Sequence, residues 1–157
     1  MRTPRDPNRV PFLLAASSAG DEAEVVLWAD PTTHRVLMDF TLSPETSGGL
    51  LTYRNIDLDE TGKLIKGSAG QVYGWFLYNN AATTRYVKFY NKATAPTVGT
   101  DTPVMTVPIP AGSGANVEYN VGIAFATGIG VGATATVADN STSAPDANDV
   151  IVNIFYY

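Results

Sequence analysis

Asp57, Asp59 and Glu60 form a close-spaced group of side chains that could do chemistry. A pair of carboxyl groups placed around a sugar linkage can hydrolyse it, and clustered carboxylates also bind hard cations such as Ca²⁺. Turns use the same residues differently, because an Asp side chain accepts hydrogen bonds from nearby backbone amides. The spacing is not that of an EF-hand. We interpret the cluster as an ordinary turn, with a carbohydrate depolymerase or a Ca²⁺ site as the alternatives.

The sequence contains one histidine and no cysteine. His34 follows the turn signal Asp30-Pro31 and has no nucleophile motif around it, so a catalytic triad is not expected. His-rich metal sites and thiolate chemistry are excluded because the ligands are missing. The sequence therefore predicts no catalytic residue, no metal site and no cofactor.

Gly128, Gly130 and Gly132 alternate in a way that suggests a phosphate-binding loop. The full glycine fingerprint of such loops is not met, no helix is predicted after it, and no lysine of the Walker type is nearby. Small residues in a strand instead permit close approach of another backbone. We interpret this segment as a glycine-bearing strand.

Aromatic side chains on the surface of a β-sandwich can stack on sugars, and five are suited to it. The same residues are equally able to build a core or a subunit interface. We favour packing for most of them, with binding of a host glycan as the alternative. The five are Tyr53, Tyr73, Trp75, Tyr86 and Tyr90.

Residues 71–91 contain two runs rich in aromatic and β-branched residues on either side of a small polar turn. This pattern predicts a long antiparallel hairpin. In its first arm, Val72, Phe76 and Tyr78 are predicted to share one face. That arm is apolar on both faces, which places it in the middle of a packed sheet or against a partner subunit. Lys88 in the return arm indicates a face open to water.

Several further segments alternate between apolar and polar residues, among them residues 149–157, and no segment has a convincing helical pattern. Turn signals recur at roughly the 8–12-residue spacing typical of sandwiches and jelly rolls. The sequence predicts an all-β fold, an antiparallel β-sandwich or jelly roll of about 8–10 strands with an extended N-terminal arm. We divide the chain into the arm over residues 1–16, a β-hairpin module over 17–43 and the β-sandwich domain over 44–157.

Charge is scarce and unevenly distributed. Charged residues make up 16% of the chain, against about a quarter in an average protein, which suits a surface partly covered in an assembly. Three arginines lie in the first nine residues, whereas residues 93–157 contain no lysine or arginine. A basic leader on an acidic body argues against a nucleic acid as partner. No apolar run approaches the ~20 residues of a transmembrane helix, so no membrane partner is expected.

Several motifs resemble those of tailed-bacteriophage virion structural proteins. DPNRVP at residues 6–11 and WADPTTHRVL at 28–37 resemble the short N-terminal module of such proteins. Four further motifs resemble segments of the small β-sandwich virion proteins of these phages. They are GSAGQVYGWFLYNN at 67–80, RYVKFYN at 85–91, PIPAG at 108–112 and ANDVIVNIFY at 147–156.

This resemblance implies a non-enzymatic role in the virion. The favoured location is the capsid surface, where a decoration or head-fibre protein binds the major capsid protein or other virion proteins as a homo-oligomer, with a trimer favoured. The alternative is a receptor- or glycan-binding module on the tail or an appendage.

The arm supplies the partner-binding residues that this role implies. Its prolines already restrict the backbone, so ordering the arm on a partner costs less entropy. Its arginines could form charge-assisted hydrogen bonds with acidic groups on the shell, and its apolar residues could fill notches there. The residues concerned are Arg2, Arg5, Arg9, Val10 and Phe12.

Overall fold

A computed structural model of the protein describes residues 49–157 and, before them, the backbone of two short strands. β1 (Leu14–Ala16) and β2 (Glu24–Val26) pair in antiparallel fashion. The chain divides into two compact units, Met1–Thr46 and Ser47–Tyr157. His34 and the five predicted partner-binding residues, Arg2, Arg5, Arg9, Val10 and Phe12, lie outside the described residues.

Eight strands build two antiparallel sheets in the second unit. The first sheet has the order β3-β10-β5-β8 and consists of β3 (Leu51–Asn55), β5 (Gly70–Asn79), β8 (Ser113–Phe125) and β10 (Val150–Tyr156). The second has the order β4-β9-β6-β7 and consists of β4 (Lys63–Lys66), β6 (Arg85–Asn91), β7 (Met105–Ile109) and β9 (Ile129–Thr134). Residues 49–157 contain no helix, and the arrangement is sandwich-like. The predicted all-β fold is confirmed.

The core lies between the two sheets and is made by strict alternation. β10 buries every second side chain, Val150, Val152 and Ile154, which confirms the strand predicted at the end of the chain. Trp75 of the first sheet meets Phe89 of the second, with ring centroids 5.2 Å apart. Burial of side chains of this size contributes about 2–3 kcal/mol each, so the alternating pattern holds the two layers together.

The predicted hairpin over residues 71–91 is wrong. Its first arm is β5 of the first sheet and its second arm is β6 of the second sheet, and the two strands do not pair. Residues 80–84 instead cross from one sheet to the other. A short polar turn between two apolar runs fits both connections, so local sequence does not distinguish them.

Asn79 lies at this crossing and is completely buried. Its Nδ2 donates hydrogen bonds to the carbonyl oxygens of Thr83, Ile109 and Pro110, at 2.8, 2.9 and 3.1 Å. Its Oδ1 accepts a hydrogen bond from the amide of Ala81 at 2.9 Å. One side chain is therefore hydrogen-bonded to four backbone groups, with two Nδ2 hydrogens shared among three carbonyl oxygens, and it joins the crossing segment to the end of β7.

A β-bulge changes which side chains of β5 face the core. Val72 is fully buried, and the register between β5 and β8 slips between Val72 and Gly74. Beyond the slip Trp75 faces the core, while Phe76 and Tyr78 point outward. The prediction that Val72 shares a face with Phe76 and Tyr78 is therefore wrong, because an extra residue in a bulge reverses the alternation.

Candidate binding surface

The carboxylates that could do chemistry are used as hydrogen-bond acceptors in the connection between β3 and β4. Asp57 Oδ1 accepts from the amide of Asn148 at 2.7 Å, and Asp59 Oδ1 accepts from the amide of Thr61 at 2.9 Å. Asp59 also lies 3.8 Å from Lys63 Nζ. The Asp59 bond confirms the turn interpretation for that residue, whereas Asp57 holds a backbone amide 91 positions away along the chain. Among residues 49–157 no three His, Cys, Asp or Glu side chains are grouped as metal ligands.

The glycine-rich segment is strand β9, as interpreted from the sequence. A Cβ added at Gly130 would lie 2.9 Å from Pro96 Cδ, and one at Gly132 would lie 2.6 Å from Val98 Cγ2. Both glycines therefore make room for the segment of residues 92–104, which packs across the outer side of the second sheet. The glycines serve packing and lie in no phosphate-binding loop.

The five aromatic candidates do not assemble into one platform. Trp75 is 4% exposed and packs in the core, and Tyr90 is 1% exposed on the outer side of the second sheet. For these two side chains the favoured interpretation, packing, is confirmed, and they are not available to stack on a sugar. Tyr53, Tyr73 and Tyr86 are half-buried, and Tyr53 packs against the core.

The outer side of the first sheet is a further candidate surface, which sequence reasoning missed. We call it the open face. Phe76 and Tyr78 are 43% and 44% exposed on it. The signal in the sequence was that β5 has apolar residues on both of its faces. That pattern indicated either a strand buried on both faces or a strand in contact with a partner subunit. Strand register assigns to the open face Thr52, Arg54, Gly74, Phe76, Tyr78, Gly114, Asn116, Glu118, Ile151, Asn153 and Phe155.

An aromatic pair lies at the centre of the open face. The rings of Phe76 and Phe155 pack edge to face, with centroids 5.1 Å apart and planes at 81°. Gly74 lies opposite Phe155 in the ladder, and a Cβ there would come within 2.6 Å of the Val117 carbonyl oxygen. Phe76 is exposed and Phe155 half-buried in this pair, and edge-to-face pairs add about 0.5–1.5 kcal/mol beyond area burial.

The open face has two charges, of opposite sign and on opposite edges. Arg54 is the one charged residue of β3, Glu118 is the one charged residue of β8, and β5 and β10 have none. Both side chains belong to exposed residues. Neither forms an ion pair within the part of the chain that the structure describes.

The outer side of the second sheet is sealed, in contrast. Lys88 is fully buried there, and its Nζ donates to the carbonyl oxygen of Ala138. The prediction that this strand is open to water is wrong, because residues 135–149 return over it. Burial lowers the pKa of Lys88, and the negative charge of Asp139 partly opposes that change.

Tyr90 lies under the same covering segments. Its hydroxyl is buried and has no hydrogen-bond partner among residues 49–157. Burial, followed by the charges of Asp101 and Asp139, raises its pKa from 10.0 to about 12. The phenol is thus held neutral where water cannot reach it.

We expect Tyr90→Phe to raise the free energy of unfolding by about 1 kcal/mol at neutral pH, because it removes an unpaired buried hydroxyl. Between pH 10 and 12 the folded state retains a proton that the unfolded state releases, so Tyr90 makes the wild type lose stability as pH rises. The full loss is about 2–3 kcal/mol. Urea unfolding at pH 7 and across this alkaline window measures both effects.

Tyr78→Phe, on the open face, is the matched control, because it removes a hydroxyl group from an exposed ring. Lys88 contributes a slope of opposite sign in both proteins, so the difference between wild type and Tyr90→Phe isolates the phenol. The same dependence of stability on pH in the wild type and in Tyr90→Phe would contradict the raised pKa of Tyr90.

A shallow pocket of about 500 Å³ lies where β5 begins and β8 ends. Gly70, Gln71 and Phe125 line it, with Lys66 and Tyr157 beside them. The Lys66 ammonium is 5.5 Å from the centre of the Tyr157 ring, so it already interacts with an aromatic face. No cluster of titratable groups points into the pocket, and it offers little chemistry.

Residues 49–157 contain no helix of the length and hydrophobicity that a membrane crossing requires. Comparisons of the chain with protein-family models, with characterised proteins and with solved structures found no match.

Proposed function

We propose that this protein is a non-catalytic structural component of a tailed-bacteriophage particle, a capsid decoration or head-fibre protein that stabilises the shell. Binding to the particle is through the N-terminal arm, with the major capsid protein or another virion protein as the partner. The motifs that resemble those of phage virion proteins support a location in a phage particle. The surface of the sandwich supports a role in binding to another protein.

The observation that carries the proposal is the difference between the two outer sheet surfaces. The second sheet is covered by segments of the same chain, down to a fully buried Lys88. The first sheet keeps Phe76 and Tyr78 more than two-fifths exposed. Exposed apolar patches with polar residues around them mark interaction sites, and aromatic residues are enriched at the centres of interfaces. A surface of this kind is suited to contact with another protein.

The experiment that tests the location is antibody labelling of purified virus particles. Antibodies raised against the whole protein are expected to label heads evenly, and dissociated particles are expected to contain the chain in many copies. Absence of the protein from purified particles, with its presence in infected cells, would overturn the proposal. Antibody labelling of the tail alone would exclude a head-decoration role and would support the tail module instead.

Deleting residues 1–11 tests the arm. We expect the truncated protein to lose at least about tenfold in affinity for particles that lack it, because the arm contributes the charge-assisted and apolar anchors. Its circular dichroism is expected to match that of the full chain, since residues 49–157 supply the core. Full occupancy by the truncated form at the same concentration would show that the arm is not the anchor.

A glycan- or receptor-binding module of the tail is the second candidate, and one arrangement on the open face favours it. Phe76 lies between Asn153 and Asn116 in the ladder, so an aromatic ring has an amide on either side. Aromatic stacking together with amide hydrogen bonds is chemistry that suits a sugar ring. Binding of host polysaccharide to the wild type, lost in Phe76→Ala, would favour this candidate over decoration.

A further inference from the structure

We propose that the open face binds the open face of a second copy of this chain, in a twofold dimer that places Arg54 of each copy opposite Glu118 of the other. This pairing goes beyond the proposed function and is independent of it, because it concerns the free protein in solution. It differs from the trimer that the phage resemblance implies.

The first reason is the placement of charge. Across all four strands of the first sheet, only Arg54 and Glu118 are charged. Both point outward, and they lie on the two edge strands with an uncharged aromatic centre between them. A surface that carries one charge of each sign on opposite sides of an apolar centre is complementary to itself.

The second reason is the symmetry that this placement selects. A twofold axis parallel to the strands brings β3 of one copy over β8 of the other, so that Arg54 faces Glu118 twice. A twofold axis across the strands would bring β3 over β3 and β8 over β8, which places like charges together. Opposite charges favour the first arrangement, and like charges oppose the second.

The register gives the offset that the two side chains must span. Arg54 shares a row with Phe76, and Glu118 shares a row with Gly74, two positions away along β5. Two residues along a strand are about 7 Å apart. Extended arginine and glutamate side chains are long enough to span that offset.

The size of the face sets the strength of the pair. Four strands at about 4.8 Å spacing, about five residues long, cover roughly 20 by 17 Å. That is less than the ~800 Å² per partner of a standard interface, so the dimer is expected to dissociate in the micromolar range. The Phe76–Phe155 pair lies at its centre, where aromatic residues contribute most.

Sedimentation equilibrium of the full-length protein, from about 1 µM to about 1 mM to span the expected range, tests the pairing. We expect a monomer–dimer equilibrium for the wild type. Arg54→Glu alone and Glu118→Arg alone are each expected to weaken self-association about tenfold or more, because each places like charges together at two points. Phe76→Ser is expected to weaken it on the order of thirtyfold. Glu60→Arg, a charge reversal off the open face, is the matched control and leaves the dimer unchanged.

An equimolar mixture of the two charge-reversed variants is the decisive measurement. One variant then has two glutamates and the other two arginines at these positions, so a heterodimer restores both opposite-charge contacts. We expect the mixture to associate as strongly as the wild type, with an affinity that weakens as salt is added. Circular dichroism of each variant establishes that it is folded.

Three results would overturn the inference. A wild type that stays monomeric up to about 1 mM, where even weak specific complexes form, would show that no second copy occupies the face. A trimer would show a different symmetry. Dimers of Arg54→Glu and Glu118→Arg as strong as those of the wild type, or a mixture no stronger than its components, would place the contact elsewhere.

Discussion

Replacing Asp149 with alanine is expected to lower the free energy of unfolding by about 3–5 kcal/mol. Asp149 Oδ2 accepts hydrogen bonds from Arg85 Nε at 2.9 Å and from Arg85 Nη2 at 2.7 Å, and Asp149 and Arg85 are only 8% and 9% exposed. Without the carboxylate, the guanidinium remains buried with no opposite charge, and that is the main cost.

The same carboxylate oxygen also accepts the amide of Asp146 at 3.0 Å. Asp149 therefore joins strand β6 to the end of the segment that covers the second sheet. Chemical denaturation of Asp149→Ala, with the exposed Asp146→Ala as control, measures the cost. The double variant Arg85→Met/Asp149→Leu is expected to recover part of it, because no charge is then left unpaired. A loss below about 1 kcal/mol in Asp149→Ala would mean that the pair behaves like a surface ion pair.

Asn79→Ala is expected to lower the free energy of unfolding by about 3 kcal/mol or more, since an unsatisfied buried polar group costs about 1–3 kcal/mol and several are created. The variant removes the donor to the carbonyl oxygens of Thr83, Ile109 and Pro110, and the acceptor of the Ala81 amide. Ala81 and Ile109 are buried, so water has little access to the amide and the carbonyl left unpaired there, whereas Thr83 and Pro110 belong to exposed residues.

Asn80→Ala, one residue further along and exposed, is the control and is expected to change stability by less than about 0.5 kcal/mol. Urea denaturation followed by tryptophan fluorescence reports on the core, because Trp75 lies in the same strand as Asn79 and packs on Phe89. Equal stabilities of the two variants would contradict the role given to Asn79. Asn79 would then contribute no more to stability than the exposed Asn80.

These two sites explain why one side of the sandwich is closed and the other is not. Asp149 holds the segment that follows β9, and this segment covers the second sheet. Asn79 holds the segment that follows β5. No comparable anchor holds a described segment across the first sheet. Its aromatic centre and its two opposite charges are therefore presented to solvent and to any partner.

The sequence by itself determined the class of fold and the local roles. Alternation marked the last strand, in which Val150, Val152 and Ile154 are buried on one face. Turn chemistry identified Asp59 as an acceptor of a nearby backbone amide, that of Thr61. These features depend on neighbours within a few residues, so the residue types carry enough information to predict them.

Only the tertiary structure decided which strands pair and which surfaces are covered. β5 and β6 are separated by a short polar turn but belong to different sheets, and Lys88 is buried by a segment that includes Ala138, far along the chain. The bulge after Val72 reverses a face that alternation alone assigns wrongly. In each case the deciding contacts join residues far apart in sequence, and their energies depend on burial and hydrogen bonding that exist only once the two sheets have come together.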